Sequence, residues 1–107
     1  MPAYDPSKLS PPARQLMEAL QNDDINNPSA SLISKYQLKA ENGIYYVKGL
    51  MKVQEGFDDQ RLDELAVKQL TKAGNIRTVR IPITQLAALS KIESIDLIEI
   101  DRPLKTR

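Results

Sequence analysis

The chain contains no histidine and no cysteine among its 107 residues. A Ser-His-Asp triad needs an imidazole to carry the proton, and a typical zinc site uses His or Cys ligands, so both kinds of site are excluded. Without cysteine there is also no disulfide and no thiolate nucleophile. The glycines are scattered and form no phosphate-binding loop. We therefore predict no metal, no cofactor and no catalytic residue in this chain.

Long apolar runs are also missing. No stretch of about 18 apolar residues is present, and the first residues lack the apolar region of a signal peptide. The formal net charge of +1 is far from the dense basic footprint of a general nucleic-acid binder. We expect neither a membrane nor a nucleic acid as a partner. Apolar residues at 41% and charged residues at 27% are typical of one small globular domain.

The N-terminal part of the chain is rich in proline and polar residues. Met1 to Pro12 is expected to be extended or disordered, with Ser10 as the N-cap of a short helix and Pro11 at its first position. That helix continues from Ala13 to Asn22, and the segment from Asn22 to Ser31 has the composition of a linker.

The centre of the chain predicts a β-hairpin. Asn42-Gly43 is typical of a type I′ turn, which requires positive φ at both central residues. Gly49 indicates a bulge or a close contact with another backbone. The hairpin strands are expected at Tyr36 to Glu41 and Ile44 to Gln54, and alternation directs one set of second-strand residues toward the core: Tyr45, Val47, Met51 and Val53.

The second half of the chain alternates between helix and strand patterns. A helix from Glu55 to Val67 is predicted with Asp58 as its N-cap, and a second helix is predicted with Thr84 as its N-cap. Three strands are predicted at Lys68 to Thr71, Asn75 to Ile83, and Ile95 to Asp101.

The resulting order is βαββαβ, with an extra N-terminal strand and a short N-terminal helix. This order predicts an α+β, ferredoxin-like domain, in which two helices cover one face of an antiparallel sheet. We expect an N-terminal extension over residues 1–34, the ferredoxin-like domain over 35–103, and a C-terminal tail over 104–107.

Several residues resemble the N-terminal prodomain of bacterial subtilisin-like serine proteases. They are the turn Ala73-Gly74-Asn75; the strand end Ile81-Pro82-Ile83; the apolar series Leu86, Leu89, Ile92, Ile95 and Ile98; the pair Ile98-Glu99; the segment Arg102-Pro103-Leu104; and Leu9-Ser10-Pro11 before the first helix.

The resemblance implies a non-catalytic prodomain that assists the folding of a protease domain and then inhibits it. The partner would be that domain, following Arg107 in a longer, secreted or cell-envelope parent chain. The tail would lie in the protease cleft like a substrate: Arg102, Pro103, Leu104, Lys105, Thr106 and Arg107. The outer sheet face would dock on protease helices through Tyr46, Lys48, Lys52, Arg77 and Arg80.

The sequence also leaves a second function open. A stand-alone ferredoxin-like regulatory or ligand-binding domain would have the same order of elements. Such domains usually place glycine-rich loops at a subunit interface, and this chain lacks those loops. A plain interaction module of a surface protein is a third possibility.

Overall fold

The computed structural model describes residues 4–23 and 27–100 of the chain. Within these residues, five strands form one antiparallel sheet accompanied by four α-helices, so the predicted α+β class is confirmed. The helices are α1 Pro11–Gln21, α2 Ala30–Tyr36, α3 Gln60–Glu64 and α4 Leu86–Ser90. The strands are β1 Lys39–Glu41, β2 Ile44–Val53, β3 Lys68–Ala73, β4 Ile76–Pro82 and β5 Ile95–Ile100.

Strand β2 is paired along both of its edges. On one edge it pairs with β4, which in turn pairs with β3. Two strands share the other edge: β1 pairs with residues 44–46 and β5 with residues 49–53. Helix α3 lies between β2 and β3 in the chain, and α4 lies between β4 and β5. The sheet order is therefore β5-β2-β4-β3, with β1 beside the start of β2.

The turn between β1 and β2 has the backbone conformation that the sequence predicts. Asn42 and Gly43 both have positive φ, at 52° and 80°. These angles fit a type I′ turn, whose twist matches that of the flanking strands. The turn sets the register in which Glu41 lies opposite Ile44 and Lys39 opposite Tyr46.

Gly49 lies at a close approach between β2 and β5. A Cβ atom at this position would lie 2.3 Å from the carbonyl oxygen of Glu99, a distance that real Cβ atoms essentially never show. Of the two alternatives expected for Gly49, a bulge or a close backbone contact, the close contact is confirmed. The bulge of this pairing lies further along, between Lys52 and Val53.

Residues 4–21 pack along β5. Leu9 forms a parallel bridge with Ile98, and the Ser10 N–H donates to the Ile98 carbonyl at 3.0 Å. Ser10 caps α1 as predicted, because its Oγ accepts a hydrogen bond from the Ala13 N–H at 3.4 Å. This segment covers the edge of β5 that does not pair with β2, and edge strands left open invite aggregation.

One hydrophobic core joins the helices to one face of the sheet. The predicted inward residues Val47, Met51 and Val53 are buried there, while Tyr45 is half-buried against it. The helices contribute buried residues to the same core: Ala13, Leu16, Met17 and Leu20 from α1, Leu32 and Tyr36 from α2, Leu62 from α3, and Leu86 and Leu89 from α4. All four helices therefore belong to a single packed unit.

The structure differs from the sequence analysis in its second helix. The expected linker and first hairpin strand are partly replaced by α2, whose N-cap Ser29 accepts a hydrogen bond from the Leu32 N–H at 3.4 Å. Leu32 and Tyr36 lie four residues apart and are both buried, so a short amphipathic helix is favoured. The expected boundary between residues 34 and 35 falls inside this helix.

The predicted helix caps near α3 and α4 also change. Thr84 lies within a 3₁₀ turn, Ile83–Gln85, and its side chain does not cap α4, so that prediction is wrong. Helix α3 begins one residue later than Asp58 would place it, although the Asp58 Oδ1 accepts a hydrogen bond from the Gln60 N–H at 3.0 Å. The Asp58 side chain therefore still satisfies a free N–H at the start of that helix.

Replacing Leu16 by alanine tests whether α1 is part of the domain. Leu16 is fully buried in the shared core, so Leu16→Ala should lower the free energy of unfolding by about 2–5 kcal/mol. Urea denaturation measures this loss, and Gln15→Ala on the exposed side of α1 serves as the control. A loss for Leu16→Ala no larger than that of the control would contradict this packing.

Replacing Gly49 by alanine tests the close approach of β2 and β5. The added methyl group must push the Glu99 carbonyl away, which should cost about 1–3 kcal/mol of unfolding free energy. Amide hydrogen exchange should also accelerate in β5 before β4. Lys52→Ala, an exposed change on the same strand, should stay within about 0.5 kcal/mol of the parent chain. Equal stability of Gly49→Ala and the parent would refute the contact.

Candidate functional site

The sheet face opposite the buried side chains of Val47, Met51 and Val79 is the candidate functional site, and we call it the open face. The end of α2 borders it beside Tyr46. Strand alternation and register assign its members, because residues directly opposite each other in neighbouring strands lie on the same side. Its residues are Lys39 and Glu41 of β1; Ile44, Tyr46, Lys48, Leu50 and Lys52 of β2; Lys68, Thr71 and Ala73 of β3; Ile76, Thr78, Arg80 and Pro82 of β4; and Leu97 and Glu99 of β5.

Four of the five predicted docking residues lie on the open face: Tyr46, Lys48, Lys52 and Arg80. Arg77 does not, so its placement is wrong. It pairs with Met51, shares the side of β4 that carries Val79 and Ile81, and is only 4% exposed. Arg80 is three positions after Arg77, an odd number, so alternation puts the two residues on opposite faces.

Arg77 instead ties the β3–β4 turn to the start of α3. Its Nε donates to the Asp59 Oδ1 at 3.0 Å, and its Nη1 donates to the Gly74 carbonyl at 2.5 Å. Lys72 donates to the other oxygen of Asp59, Oδ2, at 3.1 Å. The guanidinium charge is therefore compensated within the protein. We assign the cluster of Arg77, Asp59 and Lys72 a role in stabilising the fold.

Burial is the largest single influence on the pKa of Asp59 and acts to raise it. The hydrogen bonds and charges of Arg77 and Lys72 outweigh it together, so the pKa lies below its ordinary value. The carboxylate therefore remains charged to lower pH in the folded chain than in the unfolded chain.

One half of the open face carries apolar side chains. Leu50, Ile76 and Leu97 lie on three neighbouring strands and are each half-buried. Lys52 separates Ile76 from Leu97, since it pairs with both. We call these three residues the apolar patch. These three residues give a partner a small, partly exposed apolar surface around one lysine.

The other half of the open face is cationic and curled. Lys68 on β3 forms an ion pair with Glu41 on β1 at 2.5 Å, although β2 and β4 lie between their strands. The Lys68 ammonium lies 5.1 Å from the centre of the Tyr46 ring. Tyr46 is only 7% exposed, although strand alternation in the sequence predicts it on the exposed side.

A cleft of ≈ 220 Å³ opens beside Tyr46, where the end of α2 meets the sheet. It is lined by Tyr36, Gln37, Lys39, Tyr46, Lys48 and Arg80. Three of these side chains are cationic and none is anionic. Burial raises the pKa of Tyr36, and the nearby Glu18 carboxylate raises it further. The Tyr36 hydroxyl therefore remains a neutral hydrogen-bond donor at physiological pH.

Glu41 is the anion nearest to this cationic half. Its hydrogen bond with Lys68 and the charge of Lys68 lower the pKa of Glu41, with a smaller contribution from Arg80. Glu41 therefore remains ionised and compensates part of the positive charge. The sequence alone does not group Lys39, Glu41 and Lys68, because their proximity depends on pairing between distant strands.

The predicted tail, Arg102 to Arg107, lies outside the described residues. Within residues 4–23 and 27–100, no group of three or more acidic, His or Cys side chains has the arrangement of a metal site. No helix in this part of the chain is both long enough and apolar enough to cross a membrane. The chain matches no protein-family model, no curated protein and no solved structure.

Replacing Asp59 by asparagine tests the Arg77 cluster through pH. A carboxylate with a lowered pKa stabilises the fold above its unfolded pKa of about 3.9, and this contribution disappears as the pH falls through the folded pKa. Asp59→Asn should therefore lower the unfolding free energy by about 1 kcal/mol at pH 7, since the 36%-exposed carboxylate is partly screened.

The difference between the parent chain and Asp59→Asn should shrink as the pH falls below about 4. Thermal denaturation from pH 7 to pH 2.5 measures this change. Asp63→Asn is the matched control, because it removes the same charge from an exposed position of α3. Identical pH profiles for the two variants would show that Asp59 has no special role.

Proposed function

We propose that this chain is the non-catalytic prodomain of a subtilisin-like serine protease. In this role it assists the folding of the protease domain and inhibits the folded enzyme. The open face docks on the protease, and the segment after β5 lies in the catalytic cleft. The protein and its protease are then secreted or located in the cell envelope.

The proposal includes a ferredoxin-like fold. Strand order β5-β2-β4-β3, with α3 and α4 in the two crossovers, is the order that a split βαβ unit gives. This agreement supports the assignment, although α3 and α4 are only five residues long. Hairpin strand β1 and helices α1 and α2 are additions to that plan.

The observation that carries the proposal is the apolar patch on the open face. Leu50, Ile76 and Leu97 each offer partly exposed apolar area around Lys52, on strands that pack against the core with their other face. A partner surface that covers them gains hydrophobic free energy without ordering a loop. Lys48, Lys52 and Glu99 around the patch are exposed and supply a charged rim.

Inhibition requires the chain to reach from the docked sheet into the cleft. Strand β5 pairs with β2 up to Ile100, opposite Gly49, and residues 101–107 follow it directly. Pro103 disfavours a helical conformation at Arg102, which favours binding of this segment as an extended peptide. Extended peptides bind protease clefts by adding a strand to the enzyme, as substrates do.

Assistance in folding follows from the same docking energy. A surface that binds the folded protease and not the unfolded chain stabilises the folded form by mass action. The effect is mutual, because the bound protease also stabilises the folded prodomain by mass action. A domain this small has a modest core, so the gain is a large part of its stability. The chain needs no catalytic group for either effect.

An inhibition assay tests the proposal on a panel of purified bacterial subtilisin-like proteases. The full chain should inhibit at least one of them, and a chain that ends at Asp101 should inhibit it at least about tenfold less strongly, a loss of about 1.4 kcal/mol. Leu50→Glu should also weaken inhibition at least about tenfold, because it puts a charge into the docked patch.

Gln15→Glu is the matched control, since it adds the same charge on the helix side of the domain. Circular dichroism should show that Leu50→Glu remains folded, and Lys52→Glu provides a second, exposed variant of the same face. Failure of the full chain to inhibit any protease, or equal inhibition by Leu50→Glu and Gln15→Glu, would refute the proposal. That result would favour a stand-alone ligand-binding domain.

A further inference from the structure

Three cations lie side by side across the cationic half of the open face. Arg80 on β4 is directly opposite Lys48 on β2 and directly opposite Lys68 on β3. Side chains at directly opposed positions have Cβ atoms about 4.5–5.5 Å apart. We call Lys48, Arg80 and Lys68 the cationic row.

The cationic row is costly for the fold. Like charges at opposed positions destabilise a sheet. Glu41 forms an ion pair with Lys68, and its carboxylate also attracts Arg80 at longer range. Lys48, Arg80 and the neighbouring Lys39 form no ion pair with any residue of the described ranges. Packing does not explain this arrangement, because the row is on the face opposite the core.

The unpaired cations converge on the cleft beside Tyr46. Lys39, Lys48 and Arg80 line it together with two tyrosines that are 4% and 7% exposed, Tyr36 and Tyr46. The aromatic walls are thus held in place, while the charges face the open space. The ≈ 220 Å³ volume is below the range of about 300–1,000 Å³ for sites of drug-sized ligands. A compact anion suits this cleft better than a nucleotide.

We propose that the cleft is a binding site for the phosphate group of a small molecule. A phosphate monoester carries a charge of about −1.5 to −2 at pH 7 and three acceptor oxygens. Arg80 offers a planar fork of N–H donors, and Lys39 and Lys48 offer point charges, both of which are common in phosphate sites.

This inference goes beyond the protease partner, because the cleft is at the β1 end of the open face and the apolar patch is at the β5 end. Its test needs no protease. Nuclear magnetic resonance of the full chain at pH 8 follows the amides during titration with inorganic phosphate. Sodium chloride at equal ionic strength is the reference, since it screens charge without occupying a site.

Inorganic phosphate should produce saturable shifts at Lys39, Lys48 and Arg80 that chloride does not reproduce. Glycerol phosphate should bind at least as tightly, since the cleft has room for more than the phosphate group. Glutarate, a dicarboxylate of similar charge, should bind more weakly. Equal or tighter binding of glutarate would overturn the phosphate class, and chloride shifts as large as those of phosphate would overturn the site.

Charge-removing variants locate the site. Lys48→Gln and Arg80→Gln should each weaken phosphate binding by about tenfold or more, because each removes a charge-assisted contact. Lys52→Gln removes the same charge from the same face and strand, opposite Ile76, and should change binding less than about twofold. Equal weakening by Lys48→Gln and Lys52→Gln would show that phosphate is attracted by the overall positive charge of this face and does not bind at a defined site.

The thermal stability of the Arg80→Gln variant without phosphate distinguishes a phosphate-binding role of Arg80 from a structural role. Arg80→Gln relieves the repulsion with both Lys48 and Lys68 and removes one long-range attraction, to Glu41. At low salt its Tm should therefore exceed that of the parent chain by about 2–4 °C. The same variant should lose the stabilisation that phosphate gives the parent chain. A Tm for Arg80→Gln below that of the parent would mean that the cationic row supports the fold, and it would contradict the proposal.

Discussion

Strand β2 pairs with three strands along its two edges, and the pairing with β5 depends on the absence of a side chain at Gly49. Strand β1 ends its pairing at Tyr46, and β5 begins its own at Gly49 on the same edge. The Glu99 carbonyl occupies the space that a Cβ atom would fill. Any other residue would push β5 outward, and the segment bridged to Ile98 would move with it. The joining of α1 to the core and the position of Leu97 therefore both depend on this contact.

The sequence predicts those parts of the fold that local chemistry decides. Asn42-Gly43 allows one turn type, Ser10-Pro11 favours one helix start, and the alternation of Val47, Met51 and Val53 fixes which side of β2 is buried. Helix α2 was not predicted, because Asn22 to Ser31 is polar and the helix has only seven residues. Its stability comes from Leu32 and Tyr36 in the shared core, which is a tertiary effect.

From the sequence, only those residues of the candidate site that share one side of a single strand can be grouped correctly. Tyr46, Lys48 and Lys52 share one side of β2 by parity, and the structure places them together. The grouping of Lys48 with Arg80 and Lys68 depends on the register of three strands, which the sequence does not reveal. Arg77 was expected on the exposed face but is buried. The expectation follows from the rule that a charged residue on a half-buried strand usually faces solvent. Asp59, eighteen residues earlier, supplies the partner that allows its burial.

The two halves of the open face place different demands on a partner. The apolar patch becomes more stable when a surface covers it, whereas the cationic row resists covering, because cations lose their hydration unless an anion replaces it. A partner that spans the whole face therefore needs an acidic group opposite Arg80. A partner without one has to dock over the β5 half and leave the cleft beside Tyr46 in solvent. In the second arrangement a docked protein and a bound phosphate occupy the same sheet face together, and the charge of the phosphate removes the repulsion that the row otherwise imposes on the fold.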